Sequence, residues 1–247
     1  MKKFKNLYVN GCSFTAGDNI KQENIWPVLL AKKLNLNLIN QSKNANSLQS
    51  IVFTSVNHLS TLNKDDTLVV IGLTWPPRYM IQFKNSVVNI TPADVDKKGP
   101  NHIFQSNFSK NRRMSSAVLA DGCKIGDFFS EINLDETDIV LGNFAKYYKS
   151  LLRYDTDIKR NQDLNYISNL VLFQSFLKEN NFNYKFISFD VNILGSIIDV
   201  PIMSKIDNTK ILLINDIPKD GTSHPTVVGC EYISEMIFED IYDSFNR

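Results

Sequence analysis

The stretch Leu7-Tyr8-Val9-Asn10-Gly11-Cys12-Ser13-Phe14-Thr15-Ala16-Gly17 predicts a buried strand that ends in a glycine turn. An apolar run that stops at a glycine is typical of a core strand followed by a loop. A serine directly after such a strand lies at the carboxyl edge of the sheet, where ligands bind in open α/β proteins. Ser13 is therefore a candidate nucleophile.

A second informative segment, Asp220-Gly221-Thr222-Ser223-His224-Pro225, lies near the other end of the chain and opens a helical pattern. A hydroxyl is a poor nucleophile until a neighbouring imidazole takes its proton. Together, Ser13 and His224 therefore predict a serine hydrolase, provided that folding brings them into contact. Taken alone, Ser13 fits a turn residue that caps a helix equally well, and His224 fits a surface residue at a helix start.

Strand-like and helix-like segments alternate along the chain. The predicted strands are Phe4 to Asn10, Leu36 to Ile39, Thr67 to Leu73 and Tyr184 to Phe189. The predicted helices run from Asn24, as its cap, to Leu34, from Ser47 to Leu59, through Leu164 to Leu177, and from about Pro225. This alternation predicts an α/β fold, a three-layer α/β/α sandwich with a mostly parallel central sheet.

Residues from about 76 to 137 interrupt the alternation, because they combine prolines and glycines with many Asn, Ser and Lys residues. We predict an insertion after the third strand that lies over the carboxyl edge of the sheet and shapes substrate access. The chain has no internal repeat and no clear linker. We therefore expect residues 1–247 to form a single domain that carries this polar insertion.

Composition excludes several classes of function. The net charge of +1 gives no electrostatic reason to expect nucleic acid or an anionic membrane as a partner. No apolar run approaches the roughly 20 residues of a membrane helix, and none follows the N-terminal lysines as a signal peptide requires. The three cysteines have no disulfide or metal-ligand spacing, which favours a cytoplasmic location. The three histidines are scattered, so we expect no metal and no cofactor.

The segment Gly11-Cys12-Ser13-Phe14 resembles the first block of the SGNH (GDSL-type) hydrolases, with Cys-Ser-Phe where many members have Asp-Ser-Leu. Trp26-Pro27 and residues 30–34 are similar to the first helix of that family. The resemblance covers most of the chain in outline, and only its first and last blocks are specific. It implies a flavodoxin-like SGNH hydrolase fold and an esterase that forms an acyl-enzyme through a Ser-His-Asp triad.

The resemblance also implies an oxyanion hole. Ser13 matches the nucleophile, whose own backbone N–H is one donor. Ala45 stands where the second block has a glycine, and it keeps a backbone N–H for the oxyanion if the loop needs no positive φ. Thr74 stands where the third block has an asparagine, and its hydroxyl has a shorter reach than an amide. Loss of one such donor lowers the rate about 10²- to 10³-fold in studied hydrolases.

The carboxylate of the triad is displaced in this chain. The last block places an aspartate three residues before the histidine, and that position is Gly221 here. We predict that Asp220, four residues before His224, orients the imidazole. Asp216 and a Ser–His dyad without a carboxylate are the alternatives. The orienting carboxylate contributes roughly 10⁴-fold in the well-studied serine proteases, so the choice matters.

Trp75 and Arg78 follow the central strand and are predicted to rim the pocket and bind substrate. Arg78 suits a carboxylate or a hydroxyl-rich ligand, and an ion pair that fixes the insertion is an equal alternative. Within the esterases, the polar insertion favours removal of an acetyl group from a carbohydrate. The alternatives are a lipase or thioesterase for small acyl substrates and a catalytically weak carbohydrate-binding module that keeps the pocket.

Overall fold

A computed structural model describes residues 4–76, 78–83, 86–90, 117–119, 157–189, 201–221 and 223–246. The strands in chain order are β1 (Asn6–Asn10), β2 (Asn37–Asn40), β3 (Thr67–Gly72), β4 (Tyr79–Phe83), β5 (Ser86–Ile90), β6 (Ala117–Leu119), β7 (Asn183–Ser188) and β8 (Ile211–Leu213). The α-helices are α1 (Ser13–Ala16), α2 (Trp26–Leu34), α3 (Leu48–Leu59), α4 (Asp157–Glu179) and α5 (Val227–Asn246).

The central sheet has five strands in the order β2-β1-β3-β7-β8, and every neighbouring pair is parallel. Counted along the chain, this is the doubly wound order 2-1-3-4-5 of flavodoxin-like folds. Parallel strands all end at the same edge, so the loops that follow β1, β2 and β3 meet there. The prediction of an α/β fold with a mostly parallel central sheet is confirmed.

Helices cover both faces of this sheet. Leu7 and Val9 of β1 face a core that includes Trp26 of α2 and Ile233 of α5. Tyr8, between them, faces the opposite core with residues of α3 and α4. Successive side chains of a strand point to opposite faces, so an unbroken apolar run is what a doubly covered strand requires. The three-layer α/β/α arrangement is confirmed.

Two predicted helix starts are wrong. Asn24 does not cap α2, because it lies in a preceding 3₁₀ turn and Ile25 occupies the cap position. The last helix begins at Val227 rather than Pro225, which forms an isolated bridge with Lys219. The sequence also failed to predict β8, because three residues are too few to show a strand pattern.

The described parts of the insertion contain structure that its polar composition did not predict. Strands β4, β5 and β6 form a separate antiparallel sheet in that order. The Met80 backbone N–H donates to Gln49 Oε1 over 3.1 Å, which holds this sheet against α3. Most of the stretch from 91 to 137 lies outside the described residues. The single-domain prediction for 1–247 extends over those residues and stays a prediction.

Among the helices of the described ranges, none has the length and apolar character needed to cross a bilayer. Cys12 and Cys230 are buried free thiols, and Cys123 lies outside the described ranges.

Candidate active site

Two glycines allow α1 to sit tightly over the ends of β1 and β3. A Cβ on Gly11 would lie 2.2 Å from Thr15 Oγ1, and a Cβ on Gly72 would lie 2.3 Å from the same atom. The Trp26 indole N–H donates to the Phe14 carbonyl over 3.1 Å and fixes α1 from its other side. Ser13, the first residue of α1, is thereby held at the carboxyl edge of the sheet.

The structure brings together the two residues that the sequence singled out at opposite ends of the chain. Ser13 Oγ lies 3.0 Å from His224 Nε2. The Phe14 ring packs against the imidazole, with 5.5 Å between ring centroids, and limits its movement. A serine hydroxyl within hydrogen-bond reach of an imidazole nitrogen is the arrangement in which the imidazole can remove the hydroxyl proton.

A tightly bonded loop presents His224. The Asp220 backbone N–H donates to the His224 carbonyl over 2.8 Å, and the Ser223 N–H donates to the Asp220 carbonyl over 3.0 Å. The Asp220 carboxylate accepts from the His224 backbone N–H over 3.1 Å. This contact fixes the main chain of His224, and orientation of the ring by Asp220 stays a prediction. Asp216 is exposed, with no hydrogen-bond or ionic partner in the described part of the chain.

The two backbone N–H groups predicted for the oxyanion hole, those of Ser13 and Ala45, lie in different backbone conformations. The Ser13 N–H lies in the first turn of α1, where amide groups have no partner within the helix. Ala45 has φ = +60°, so the loop does require the left-handed conformation, contrary to the condition set from the sequence. An L-residue other than glycine adopts it at a cost of roughly 1–2 kcal/mol. The Ala45 N–H has no acceptor within the described ranges.

Thr74 and Arg78 are joined to each other. Thr74 is completely buried, and its Oγ1 accepts from Arg78 Nη1 over 2.9 Å. The same Nη1 lies 3.4 Å from the Asn46 carbonyl oxygen, beside Ala45. No ion pair of Arg78 occurs within the described ranges, so nothing there supports the ion-pair alternative. Substrate binding by Arg78 stays a prediction.

Sequence reasoning missed a chain of buried asparagines beneath these donors. Asn46 Nδ2 donates to Asn10 Oδ1 over 3.4 Å and to the Gly11 carbonyl over 3.2 Å. Asn89 of β5 donates to Asn46 Oδ1 over 3.1 Å and accepts from the N–H and hydroxyl of Ser47 over 3.1 and 2.9 Å. The insertion is therefore tied directly to the Ala45 loop. The available signal was an asparagine within an apolar run, as in Val87-Val88-Asn89-Ile90.

A pocket of about 250 Å³ is lined by chain neighbours of the two residues, namely Cys12 and Phe14 on either side of Ser13 and Ser223 before His224. Most of the lining residues are aromatic or apolar, and Lys219 and Ser223 are polar. The full lining is Cys12, Phe14, Leu73, Trp75, Phe189, Lys219 and Ser223. Lys219 Nζ lies 5.7 Å from the centroid of the Phe14 ring. Trp75 is one of the lining residues, and its contact with substrate stays a prediction. Within the described ranges, no three His, Cys, Asp or Glu side chains form a group that could hold a metal ion.

No protein-family model and no curated protein matches this chain. The chain is similar to a psychrotrophic esterase from Pseudoalteromonas inhibited by monoethylphosphonate, with 12% identity over 98% of this chain and 100% of that one and a TM-score of 0.49. It is also similar to a member of the lipolytic G-D-S-L family from Veillonella parvula, with 10% identity over 95% and 97% of the two chains and a TM-score of 0.47.

A third similar structure is that of an acetyl xylan esterase, with 10% identity over 95% of this chain and 98% of that one and a TM-score of 0.46. Proteins this distant transfer neither an activity nor a site residue to this chain. The family named in the Veillonella description is the one that Gly11-Cys12-Ser13-Phe14 resembles.

Proposed function

We propose that this protein is a serine esterase. The observation that carries the proposal is the 3.0 Å contact between Ser13 Oγ and His224 Nε2, at the carboxyl edge of a parallel sheet and beside a pocket. A serine used only as a helix cap needs no imidazole on its hydroxyl. The contact therefore favours a nucleophile and its base over the capping alternative.

The reaction follows from the two groups. Ser13 Oγ attacks the ester carbonyl carbon while His224 Nε2 takes the hydroxyl proton, which gives a tetrahedral oxyanion. The C–O bond to the alcohol then breaks, and His224 returns the proton to the departing oxygen. In the second half, His224 takes a proton from a water molecule whose oxygen attacks the acyl carbonyl carbon. The bond from that carbon to Ser13 Oγ then breaks, and His224 returns the proton to Oγ as the acid leaves.

The oxyanion is held by the backbone N–H groups of Ser13 and Ala45 together with the Thr74 hydroxyl. Donors fixed by the fold stabilise the developing charge without having to reorganise during the reaction. Asp220 orients His224 by fixing the main chain of that residue, and this role is supported by the hydrogen bond that the carboxylate accepts from the His224 N–H.

A short acyl group on a carbohydrate is the substrate class that we favour. The polar composition of the insertion, with its many Asn, Ser and Lys residues, suits a sugar-like ligand better than a long acyl chain. The exposed face of Trp75 offers a surface on which the C–H groups of a sugar ring can stack. A lipase or thioesterase for small acyl substrates is the alternative within the enzymes.

Hydrolysis of p-nitrophenyl acetate by the wild type and by Ser13→Ala tests the proposal. We expect the Ser13→Ala variant to lose all activity above background and its labelling by a fluorophosphonate, because both need the hydroxyl. Ser60→Ala, at an exposed serine after α3, is the matched control and keeps both. Equal activity of wild type and Ser13→Ala, with no labelling of either, would favour the binding-module alternative.

A series of p-nitrophenyl esters tests the acyl preference. We expect kcat/KM to be highest for the acetyl ester and to fall as the chain lengthens. A long apolar acyl site gives the opposite trend, because each buried CH₂ contributes roughly 0.8 kcal/mol. Activity that rises steeply beyond about four carbons would identify the lipase alternative.

A further inference from the structure

The guanidinium of Arg78 connects the two loops that carry the other proposed oxyanion donors, the Thr74 hydroxyl and the Ala45 N–H. Arg78 Nη1 donates to Thr74 Oγ1, in the loop after β3, over 2.9 Å. It also lies 3.4 Å from the Asn46 carbonyl oxygen, in the loop after β2 that contains Ala45. Both hydrogen bonds that the guanidinium makes within the described ranges go to these two loops of the protein itself. Its position therefore suits work on the protein's own donors.

This hydrogen bond determines what the Thr74 hydroxyl can still do. A hydroxyl has one hydrogen to donate and two lone pairs that accept. Arg78 occupies a lone pair, and within the described ranges the Thr74 hydrogen has no acceptor. Thr74 is fully buried, so leaving that donor unused costs roughly 1–3 kcal/mol. The hydrogen bond from Arg78 leaves the Thr74 hydrogen to be donated to another acceptor.

The charge of Arg78 strengthens that donor. A hydroxyl that accepts from a cation is polarised and becomes a better donor in its turn. The surroundings are buried, which makes such effects larger than in water. Burial raises the pKa of the nearby Tyr166 phenol far above its ordinary value, because this region solvates charge poorly.

We propose that Arg78 is a positioning residue that acts through Thr74. It fixes the Thr74 hydroxyl so that its hydrogen points to the oxyanion, and it places a positive charge behind that donor. The pair Thr74–Arg78 thereby does the work of the single asparagine amide that the resemblance leads one to expect. This inference rests on the proposed esterase function and gives Arg78 a role distinct from the predicted substrate binding.

The test uses p-nitrophenyl acetate, because that ester has neither a carboxylate nor a hydroxyl for Arg78 to bind. We expect Arg78→Gln to lower kcat about 10- to 100-fold, the effect of losing a hydrogen bond to a charged group, with KM within about three-fold. Thr74→Val, which keeps the shape and removes the hydroxyl, lowers kcat about 10²- to 10³-fold. Thr74→Ser keeps the hydroxyl, so its kcat falls much less than that of Thr74→Val.

A double-mutant cycle shows whether the two residues act as one unit. If Arg78 acts through Thr74, Arg78→Gln in the Thr74→Val background costs no more than about three-fold further in kcat. Guanidinium ion added below denaturing concentrations restores part of the kcat of Arg78→Ala and none of that of Thr74→Val. A purely structural role of Arg78 predicts neither the coupling nor the rescue.

The outcomes separate this inference from the proposed function. Suppose that the wild type hydrolyses the ester and depends on Ser13. If Arg78→Gln then retains full kcat, or if its loss of kcat adds fully to that of Thr74→Val, only the positioning role of Arg78 is overturned. If the Arg78 variants do not fold, a Thr74→Val enzyme as active as Thr74→Ser overturns the positioning role of Arg78 by itself. A wild type that matches Ser13→Ala overturns the proposed function instead.

Discussion

The two sides of the candidate site differ in how closely they follow the expected sequence pattern. On the nucleophile side, Ser13 and His224 occupy the expected positions and lie 3.0 Å apart. On the oxyanion side, Ala45 is strained and the pair Thr74–Arg78 stands where one amide is expected. Proton transfer needs a particular chemistry, a hydroxyl beside an imidazole, whereas an oxyanion accepts from any well-placed N–H or O–H. The oxyanion side can therefore vary in sequence more freely than the nucleophile side.

The largest effects are expected on the nucleophile side. His224→Ala lowers kcat for p-nitrophenyl acetate by about 10⁴-fold or more, and the double variant with Ser13→Ala is no worse than either single variant, because the two act as a unit. Steady-state kinetics measures both. His58→Gln, at a histidine on α3 that packs against Tyr8, is the control and retains activity. Losses of the two variants that multiply would show that the residues act separately.

Asp220 lies between the two sides in expected effect. Asp220→Ala removes the acceptor that fixes the His224 main chain, and a displacement of about 1 Å at a catalytic group costs about 10²-fold in rate. Asp220→Asn keeps an acceptor oxygen, so we expect it to lose less activity than Asp220→Ala. The exposed Asp216→Asn is the matched control and keeps its activity. Equal losses of about 10⁴-fold in both Asp220 variants would show instead that the negative charge acts on the ring.

On the oxyanion side, the buried asparagines are expected to matter for stability. Asn89→Ala leaves the Ser47 N–H and the Asn46 side-chain oxygen without their partner, which lowers the free energy of unfolding by about 2 kcal/mol. Urea unfolding measures the change. Asn57→Ala, at an exposed asparagine of α3, stays within about 0.5 kcal/mol of the wild type. Equal values for the two variants would show that the insertion does not anchor the Ala45 loop.

The sequence could predict the parts of the fold and site that short-range patterns encode. Unbroken apolar runs predict strands that are covered on both faces. A serine that follows β1 lies at the ligand-binding edge of the sheet, whichever way the other loops fold. The three-residue β8 carries no such pattern. Asn89 stands out within an apolar run, but its partners Asn46 and Ser47 could not be predicted, because they lie more than 40 positions away in the chain. Contacts of that kind depend on how an insertion folds back, which composition does not encode.

The left-handed conformation of Ala45 could not be predicted from the sequence either, because it depends on how the loop closes between two fixed elements. The Lys43 N–H donates to the Gly11 carbonyl over 3.1 Å, and the Asn46 N–H donates to the Lys43 carbonyl over 3.3 Å. These two bonds hold both ends of the segment that contains Ala45. The residue must then adopt φ = +60° whether or not its side chain favours it.

The smallest expected effect has the opposite sign. Ala45→Gly raises the free energy of unfolding by about 0.5–1 kcal/mol, because relief of roughly 1–2 kcal/mol of strain exceeds the added freedom of the unfolded chain. Ala31→Gly, in the interior of α2, is the matched control and lowers stability by about 1 kcal/mol or more. A loss of stability in both variants would show that Ala45 is not held left-handed in solution. A gain at Ala45 beside a loss at Ala31 places the strain on the oxyanion side, where the sequence departs from the expected pattern.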